Sequence, residues 1–169
     1  ALAQMPGQPV DMALLCCSGE RLAAGWTLAL RAAWPQARII VVEPEGFDDT
    51  ARSLRAGHPV ANARRAGSLL DALLAPEPGR RTLPVLQAHG ASGVTVTDAE
   101  ALAAMHFAFT ALKLVLEPGG AAALAAVLAR KVPLEGRNTL VIGSGGNVDA
   151  QVFAHCLQSA GASPQGERP

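Results

Sequence analysis

The chain has 169 residues, half of them apolar, and a formal net charge of zero because 14 basic residues balance 14 acidic ones. This length suffices for one ordinary domain with a sizeable core. The neutral balance disfavours nucleic acid and anionic membranes as partners, since both are bound through a basic surface. Neither a signal-peptide pattern nor a membrane-spanning apolar run is evident, so we expect a cytoplasmic protein.

A strand, a helix and a second strand are predicted at the start of the chain. Val10–Cys17 is an apolar run that only Asp11 interrupts, which is typical of a buried strand. Leu22–Ala33 has helical periodicity, and Arg38–Val42 is rich in residues that strands favour. The turn before the helix places backbone N–H groups at a helix N-terminus, which attracts anions. An ordinary strand-to-helix turn is the alternative.

Two of the three cysteines, Cys16 and Cys17, are adjacent in the predicted first strand. Neighbours along a strand point to opposite faces of a sheet, so this spacing suits neither a disulfide framework nor a shared metal. We expect them to be small core residues in a reducing cytoplasm.

An acidic turn follows the second strand. Glu43–Asp49 holds four carboxylates in seven residues. Carboxylate and carbonyl oxygens in a bent loop are ligands of hard divalent cations, so the turn is a candidate cation site. The alternative is that Asp48 and Asp49 cap the next helix, which is predicted from Thr50 to Gly57.

The middle of the chain is predicted to be irregular. Prolines and glycines interrupt Pro59–Gly93, where we expect one short helix at Ser68–Leu74. Val94–Val96 is a short strand, and Thr97 and Glu100 form the capping box of the next helix. We expect that helix to run to about Lys113 and to bury its apolar side chains, namely Leu102, Met105, Phe109 and Leu112.

Two glycine-rich blocks stand near the end of the chain. Leu116–Leu128 opens with Glu-Pro-Gly-Gly at positions 117–120 and continues as a helix of small residues. The apolar strand Thr139–Ile142 stops in Gly-Ser-Gly-Gly-Asn at 143–147. Glycines after a parallel strand let the backbone turn sharply and approach a ligand in the crevice at the sheet edge. A plain turn is the alternative.

The alternation of strands and helices predicts an α/β domain with a mostly parallel sheet. We expect this single domain to occupy residues 1–160, with a last short helix after Asp149, and a flexible tail at 161–169.

Together, the two glycine-rich blocks resemble the C-terminal half of fold-type II pyridoxal-phosphate enzymes, in the group of threonine/serine dehydratases and serine racemase. The resemblance extends back through Ser68–Gly79, Val94–Asp98 and Val42–Pro44, and so covers nearly the whole chain. It implies a three-layer αβα fold of the tryptophan synthase beta-like type, and pyridoxal 5'-phosphate as cofactor.

The resemblance also implies which residues face the cofactor. A glycine-rich turn in the family cradles the phosphate, and Ser144 matches the hydroxyl that partners the ring nitrogen. Only Gly19 remains of the four glycines in that turn, and a carboxylate at Glu20 would repel phosphate unless it points away, whereas Arg21 could compensate. The implied cofactor-binding set is Ser18, Gly19, Glu20, Arg21, Leu22, Glu117, Ser144, Gly145 and Asn147.

A metal site is implied at the acidic turn. Some relatives hold Mg²⁺, Mn²⁺ or Ca²⁺ after the second strand. The matching ligands in this chain are Glu43, the carbonyl of Phe47 and Asp49.

The resemblance implies deamination of a hydroxyl amino acid to a 2-oxo acid and ammonia. The chain contains two lysines, Lys113 and Lys131, and neither has the context of the family's Schiff-base lysine. We therefore expect no catalysis by this chain alone, and as partners the N-terminal half of the enzyme or a separate complementing chain, a small amino-acid substrate and possible homo-oligomers. A fragment, one chain of a split enzyme and a decayed relative all fit this expectation.

Two alternatives stay open. A non-catalytic protein of this fold that binds a ligand or a partner would tolerate the altered glycine turn. A dinucleotide-binding domain would need a Gly-x-Gly-x-x-Gly turn after the first strand, and Cys17–Gly25 does not supply it.

Overall fold

The structure, a computed structural model, describes residues 8–159 and forms an α/β fold around one parallel sheet. Its strands lie in the order β3-β2-β1-β4, and each neighbouring pair is parallel. The predicted fold class is therefore confirmed. The strands are β1 (Met12–Cys16), β2 (Arg38–Pro44), β3 (Ser92–Val96) and β4 (Thr139–Val141).

Helices cover both faces of the sheet and make the predicted three layers. Within the described range they are α1 (Arg21–Ala33), α2 (Asp49–Ala56), α3 (Leu83–Ala88), α4 (Asp98–Phe107), α5 (Pro118–Leu128) and α6 (Ala150–Ser159). One core cluster joins Met12, Leu14 and Cys16 to α4 and α5, and a second joins Ala13, Leu15 and Cys17 to α1. Strand alternation thus places Cys16 and Cys17 on opposite faces, both free and buried.

The alanine-rich helix α5 packs closely against the sheet. Its buried side chains are almost all alanine, so its backbone approaches β1 and β2 more closely than larger residues would allow. This close packing determines where the N-terminus of α5 lies relative to the ends of the strands.

The prediction for the segment between α2 and β3 is wrong in two respects. A single 3₁₀ turn at Asp71–Leu73 stands where the sequence predicts the helix Ser68–Leu74. The helix α3 is absent from the prediction, which treats Pro84 as a breaker. Proline in the first turn lacks only an N–H that would have no helical partner, so Pro84 begins this helix instead of interrupting it.

The predicted capping box of α4 is present, with Thr97 Oγ1 accepting from the Glu100 N–H and the Glu100 carboxylate accepting from the Thr97 N–H. Met105 is buried as predicted, but α4 gives way to a π-helical segment at Ala108–Leu112. The wider π turn rotates the following side chains, so Phe109 and Leu112 are 39% and 49% exposed and their predicted burial is wrong.

No helix in residues 8–159 is long and apolar enough to cross a membrane. The predicted tail at 161–169 lies outside the described residues, as do residues 1–7. The expected domain limits, 1–160, stay a prediction.

Candidate functional site

A cleft of about 290 Å³ opens at the carboxyl ends of β1 and β4. The turn 18–21 and the start of α1 form one wall, and Ala72 and Leu73 contribute a second. Cys16 and Ser144 lie on its remaining side. The structure therefore brings the predicted phosphate turn and the predicted ring-nitrogen partner to the same cleft.

The two glycine-rich blocks touch each other through their backbones. The Glu117 N–H donates to Gly145 O at 2.9 Å, and the Ser144 N–H donates to Gly120 O at 3.3 Å. A side chain at Gly145 would collide with the Glu117 carboxylate, so this carboxylate lies directly against the loop that presents Ser144. Glycine at 145 makes room for this contact, and any side chain there would have to displace the Glu117 carboxylate. Ser144 and Asn147 are exposed on this loop, and Glu117 is half-buried.

Cys16, predicted only as a small core residue, lies beneath the two blocks. Its Sγ lies 3.4 Å from Gly120 O and 3.5 Å from Ile142 O, so the thiol bridges α5 and the end of β4. Burial raises the pKa of the Cys16 thiol, although hydrogen bonds, including one with the Ser144 side chain, oppose the shift. As the last residue of β1 on the face that packs α5, Cys16 could have been assigned to this site from strand alternation.

Glu20 does not direct its carboxylate into the cleft. Its side chain is buried, and its oxygens accept hydrogen bonds from Thr50 Oγ1 at 2.8 Å, Thr82 Oγ1 at 2.8 Å and the Gly79 N–H at 2.6 Å. None of these three partners is predicted by the sequence pattern, because they lie 30 or more residues away from Glu20 along the chain. No side chain caps α1, and its first residues, Arg21 and Leu22, are exposed at the cleft.

The predicted metal ligand Glu43 is fully buried at the N-terminus of α2. Its Oε1 accepts from the Thr50 N–H at 3.0 Å and its Oε2 from the Ala51 N–H at 2.8 Å. Glu43 therefore caps α2. The alternative that Asp48 and Asp49 cap this helix is wrong for Asp48, which makes no capping bond and instead pairs with Arg52 at 3.0 Å.

Asp49 is buried beside Glu43. Its Oδ1 accepts from Asn62 Nδ2 at 2.7 Å, whereas its buried Oδ2 makes no hydrogen bond with the described residues. Burial raises the pKa of Glu43 to about 8 and that of Asp49 to about 6. Phe47, whose carbonyl is the third predicted ligand, is buried, and the Arg64 guanidinium carbon lies 5.3 Å from the centroid of its ring.

Within residues 8–159, no group of three or more His, Cys, Asp and Glu side chains is arranged to hold a metal. The predicted set has two carboxylates and one carbonyl, so the unpaired Asp49 Oδ2 is the feature that fits a cation. Both oxygens of Glu43 already accept helix N–H groups. The metal site stays a prediction.

Neither lysine lines the cleft. Lys113 Nζ donates to Thr110 O at 2.7 Å, and Lys131 Nζ pairs with Glu100 Oε1 at 2.7 Å. The arrangement is that of an α/β protein with a cleft at the carboxyl ends of its parallel strands, where an uncapped helix N-terminus lies on one side and a serine on the other.

Comparison with known families agrees with this class. The model of the family described as pyridoxal-phosphate dependent enzyme matches residues 1–145. The chain belongs to this family. The resemblance that the glycine-rich blocks indicated is therefore confirmed.

Individual relatives in that family include a dehydratase and a racemase. Phenylserine dehydratase of Ralstonia pickettii is 36% identical over 149 residues, which are 88% of this chain and 45% of that protein. Serine racemase of Arabidopsis thaliana is 37% identical over 151 residues, covering 84% and 44% of the two chains. The chain thus spans about half the length of the curated relatives it matches.

Solved structures of relatives have the same fold as this chain. A threonine deaminase from T.th. superposes with a TM-score of 0.77 at 35% identity, over 87% of this chain and 53% of that one. Maize serine racemase gives a TM-score of 0.79 at 31% identity, over 94% and 49%. The fold is that of the fold-type II members.

The buried carboxylates predict a pH-dependent stability. Folded Glu43 keeps its proton up to about pH 8, whereas in the unfolded chain it ionises near its usual 4.5, so the folded state binds more protons between these values. The free energy of unfolding should therefore fall as pH rises from about 5 to about 8. Asp49 contributes a further decrease in the free energy of unfolding between about pH 4 and about pH 6.

Urea denaturation of the wild type and of Glu43→Gln at several pH values measures this dependence. The variant should show a shallower slope from pH 5 to 8, because its side chain does not ionise. Equal slopes in the two proteins would contradict the assignment.

Proposed function

We propose that this chain forms the phosphate and ring-nitrogen side of a pyridoxal 5'-phosphate site in a threonine/serine dehydratase-like enzyme. The observation on which the proposal rests is that the turn 18–21 and Ser144 lie on one cleft, with Glu117 held against the Ser144 loop. The reaction is deamination of a hydroxyl amino acid to a 2-oxo acid and ammonia. The lysine that holds the cofactor comes from a segment beyond this chain.

Each wall of the cleft has a separate role in the proposal. The uncapped N–H groups at the start of α1 and the guanidinium of the exposed Arg21 hold the phosphate. Ser144 presents a neutral hydroxyl to the ring nitrogen, and the Cys16 thiol fixes the backbone of Gly120 and Ile142 beneath it. When bound, the cofactor supplies an electron sink for cleavage of bonds at the substrate's α-carbon.

The non-catalytic alternative has an observation of its own in its favour. Both lysines are engaged outside the cleft, so this chain offers no amine to the cofactor aldehyde. In that reading, the cleft binds a small anionic ligand or the surface binds a partner, and no reaction follows. A cytoplasmic location agrees with three free, buried cysteines in either case.

We further propose that the complementing half covers an apolar strip formed by Phe107, Phe109, Leu112, Leu114 and Val115. These five side chains are between 38% and 53% exposed, and exposed apolar patches mark interaction surfaces. The strip adjoins the loop that carries Ser144 into the cleft, because a Cβ at Gly146 would lie 2.8 Å from Val115 O. Relatives about twice as long as this chain have the additional sequence needed to cover it.

A divalent cation, Mg²⁺, Mn²⁺ or Ca²⁺, is proposed at Asp49 with the Phe47 carbonyl and Glu43. The unpaired, buried Asp49 Oδ2 supports the proposal. Mn²⁺ added at pH 8 should raise the melting temperature of the wild type and not that of Asp49→Asn. Asp71→Asn, at an exposed carboxylate, is the matched control and should respond like the wild type. An equal change in melting temperature in all three proteins would contradict the proposed metal site.

Pyridoxine 5'-phosphate tests the cofactor surface, because it lacks the aldehyde and cannot react with Lys113 or Lys131. Calorimetric titration should show binding to the wild type, weakened about two- to tenfold in Ser144→Ala, as expected for one lost hydrogen bond. Ser92→Ala, at an exposed serine at the opposite end of β3, should bind like the wild type. Absence of binding to the wild type at millimolar ligand would overturn the proposed function.

Mixing with the lysine-bearing half tests the apolar strip. Leu114→Asp should weaken association at least about tenfold, because a charge would be buried in the interface. Leu28→Asp changes a leucine on α1 that is equally exposed, at 53% for both, and should leave association unchanged. Sedimentation velocity measures the complex and also reports homo-oligomers of the chain alone. Equal effects of the two substitutions would place the interface elsewhere.

A further inference from the structure

Glu20 occupies an unusual position in the turn that the proposed function assigns to phosphate. Its backbone is left-handed, with φ at 53° and ψ at 5°, a conformation that glycine adopts readily and glutamate rarely. Its side chain is nevertheless only 2% exposed. An acidic residue beside an anion site therefore has its charge inside the protein.

We propose that Glu20 is a positioning residue, whose buried carboxylate ties the turn 18–21 to the segment Gly79–Thr82 and to Thr50 and so keeps the start of α1 open to an anion. This inference rests on the proposed function for the identity of the anion. It assigns to Glu20 a structural task that glycine cannot perform.

The hydrogen bonds divide between the two carboxylate oxygens. Oε1 accepts from Thr50 Oγ1 at 2.8 Å. Oε2 accepts from Thr82 Oγ1 at 2.8 Å and from the Gly79 N–H at 2.6 Å. Charge-assisted bonds of this kind are stronger than neutral ones, so three of them hold the side chain firmly in one direction.

Gly79 is shaped to receive the carboxylate. A Cβ at this position would lie 3.0 Å from Glu20 Oε2 and 3.3 Å from Gly19 O, and it would collide with Thr82 Oγ1. The carboxylate therefore sits against bare backbone, which a side chain at 79 would displace. Because the segment around Gly79 has little regular structure, the bond to Glu20 fixes this segment as well as the turn.

The direction of the Glu20 carboxylate determines which polar groups remain free at the cleft. With its carboxylate held toward Thr50 and Thr82, Glu20 leaves α1 without a side-chain cap, and the first N–H groups of the helix remain available. A free carboxylate at this position would compete with a bound anion for the same N–H groups.

The alternative is that the charge of Glu20 simply repels the phosphate. The two roles predict opposite changes in the phosphate affinity of Glu20→Gly. Glu20→Gln removes the charge but keeps the tether, since its oxygen can accept from Gly79 and Thr82 while its amide donates to the Thr50 hydroxyl. Glu20→Gly removes both the charge and the tether. Repulsion alone predicts that both variants bind phosphate ligands more tightly than the wild type.

The experiment compares pyridoxine 5'-phosphate with pyridoxine, which lacks the phosphate, by calorimetry. The tether predicts that Glu20→Gly binds pyridoxine 5'-phosphate about tenfold more weakly than Glu20→Gln, with no difference between them for pyridoxine. Glu45→Gln removes an exposed charge directly after β2, outside the cleft, and should bind like the wild type. Binding by Glu20→Gly as tight as by Glu20→Gln would overturn the proposal.

Two further measurements separate the tether from the cofactor assignment. Amide hydrogen exchange at residues 18–22, without ligand, should be faster in Glu20→Gly than in Glu20→Gln, and equal protection would overturn the tether even if no ligand binds. Thr82→Val leaves the turn itself unchanged and should also accelerate exchange there, whereas Thr82→Ser, which keeps the hydroxyl, should not. Should the wild type bind no pyridoxine 5'-phosphate, the proposed function fails and the exchange data still decide the role of Glu20.

Discussion

The close approach of the α5 N-terminus to the loop after β4 determines the geometry of the site. A Cβ at Gly120 would lie 2.6 Å from Gly145 N, so neither backbone could come so near with a side chain between them. The Ser144 N–H bond to Gly120 O and the Glu117 N–H bond to Gly145 O join the two segments. Parallel pairing of β1 with β4 brings the loop to this place, and the small residues of α5 let the helix reach it. The position of Ser144 over the cleft follows from these contacts.

A buried polar network couples this cleft to the acidic turn. The Thr50 hydroxyl donates to Glu20, the residue immediately before α1, and the Thr50 N–H donates to the Glu43 carboxylate at the start of α2. Cys17, on the same side of the sheet, donates to Thr50 Oγ1 at 3.6 Å. One residue therefore links the proposed phosphate turn with the proposed cation turn. The charges of Glu43, Glu20 and Asp49 all act on the buried Cys17 thiol. A change in the charge of either turn therefore changes the electrostatic environment of the other.

The sequence was sufficient for the parts of the fold that depend on local pattern. Buried strands, the helix after Thr97 and the opposite facing of Cys16 and Cys17 follow from periodicity and capping chemistry. Prediction failed at two local features that hydrophobic periodicity does not reveal. Pro84 begins a helix because the chain before it turns at Gly79, and Phe109 is exposed because a π segment changes the helical phase.

The candidate site also contains some features that the sequence predicts and others that it does not. Glycine at 145 and serine at 144 could be assigned from a strand that ends in glycines. The direction of Glu20 could not, because its partners belong to α2 and to the segment around Gly79. Glu43, a predicted metal ligand, also caps α2, a role that becomes visible only when the strand end and the helix start are placed side by side.

On the proposed function, the direction from which the missing amine approaches is also restricted. The turn 18–21, Ala72 and Leu73 occupy two walls of the cleft, and Cys16 is buried below. The remaining side is the exposed glycine loop, where Gly146 lies against Val115 in the apolar strip. A chain that covers the strip would thus extend directly to the open side of the cleft. The same apolar contacts that exclude water from the strip would then place a lysine opposite Ser144, so association and completion of the site become one event.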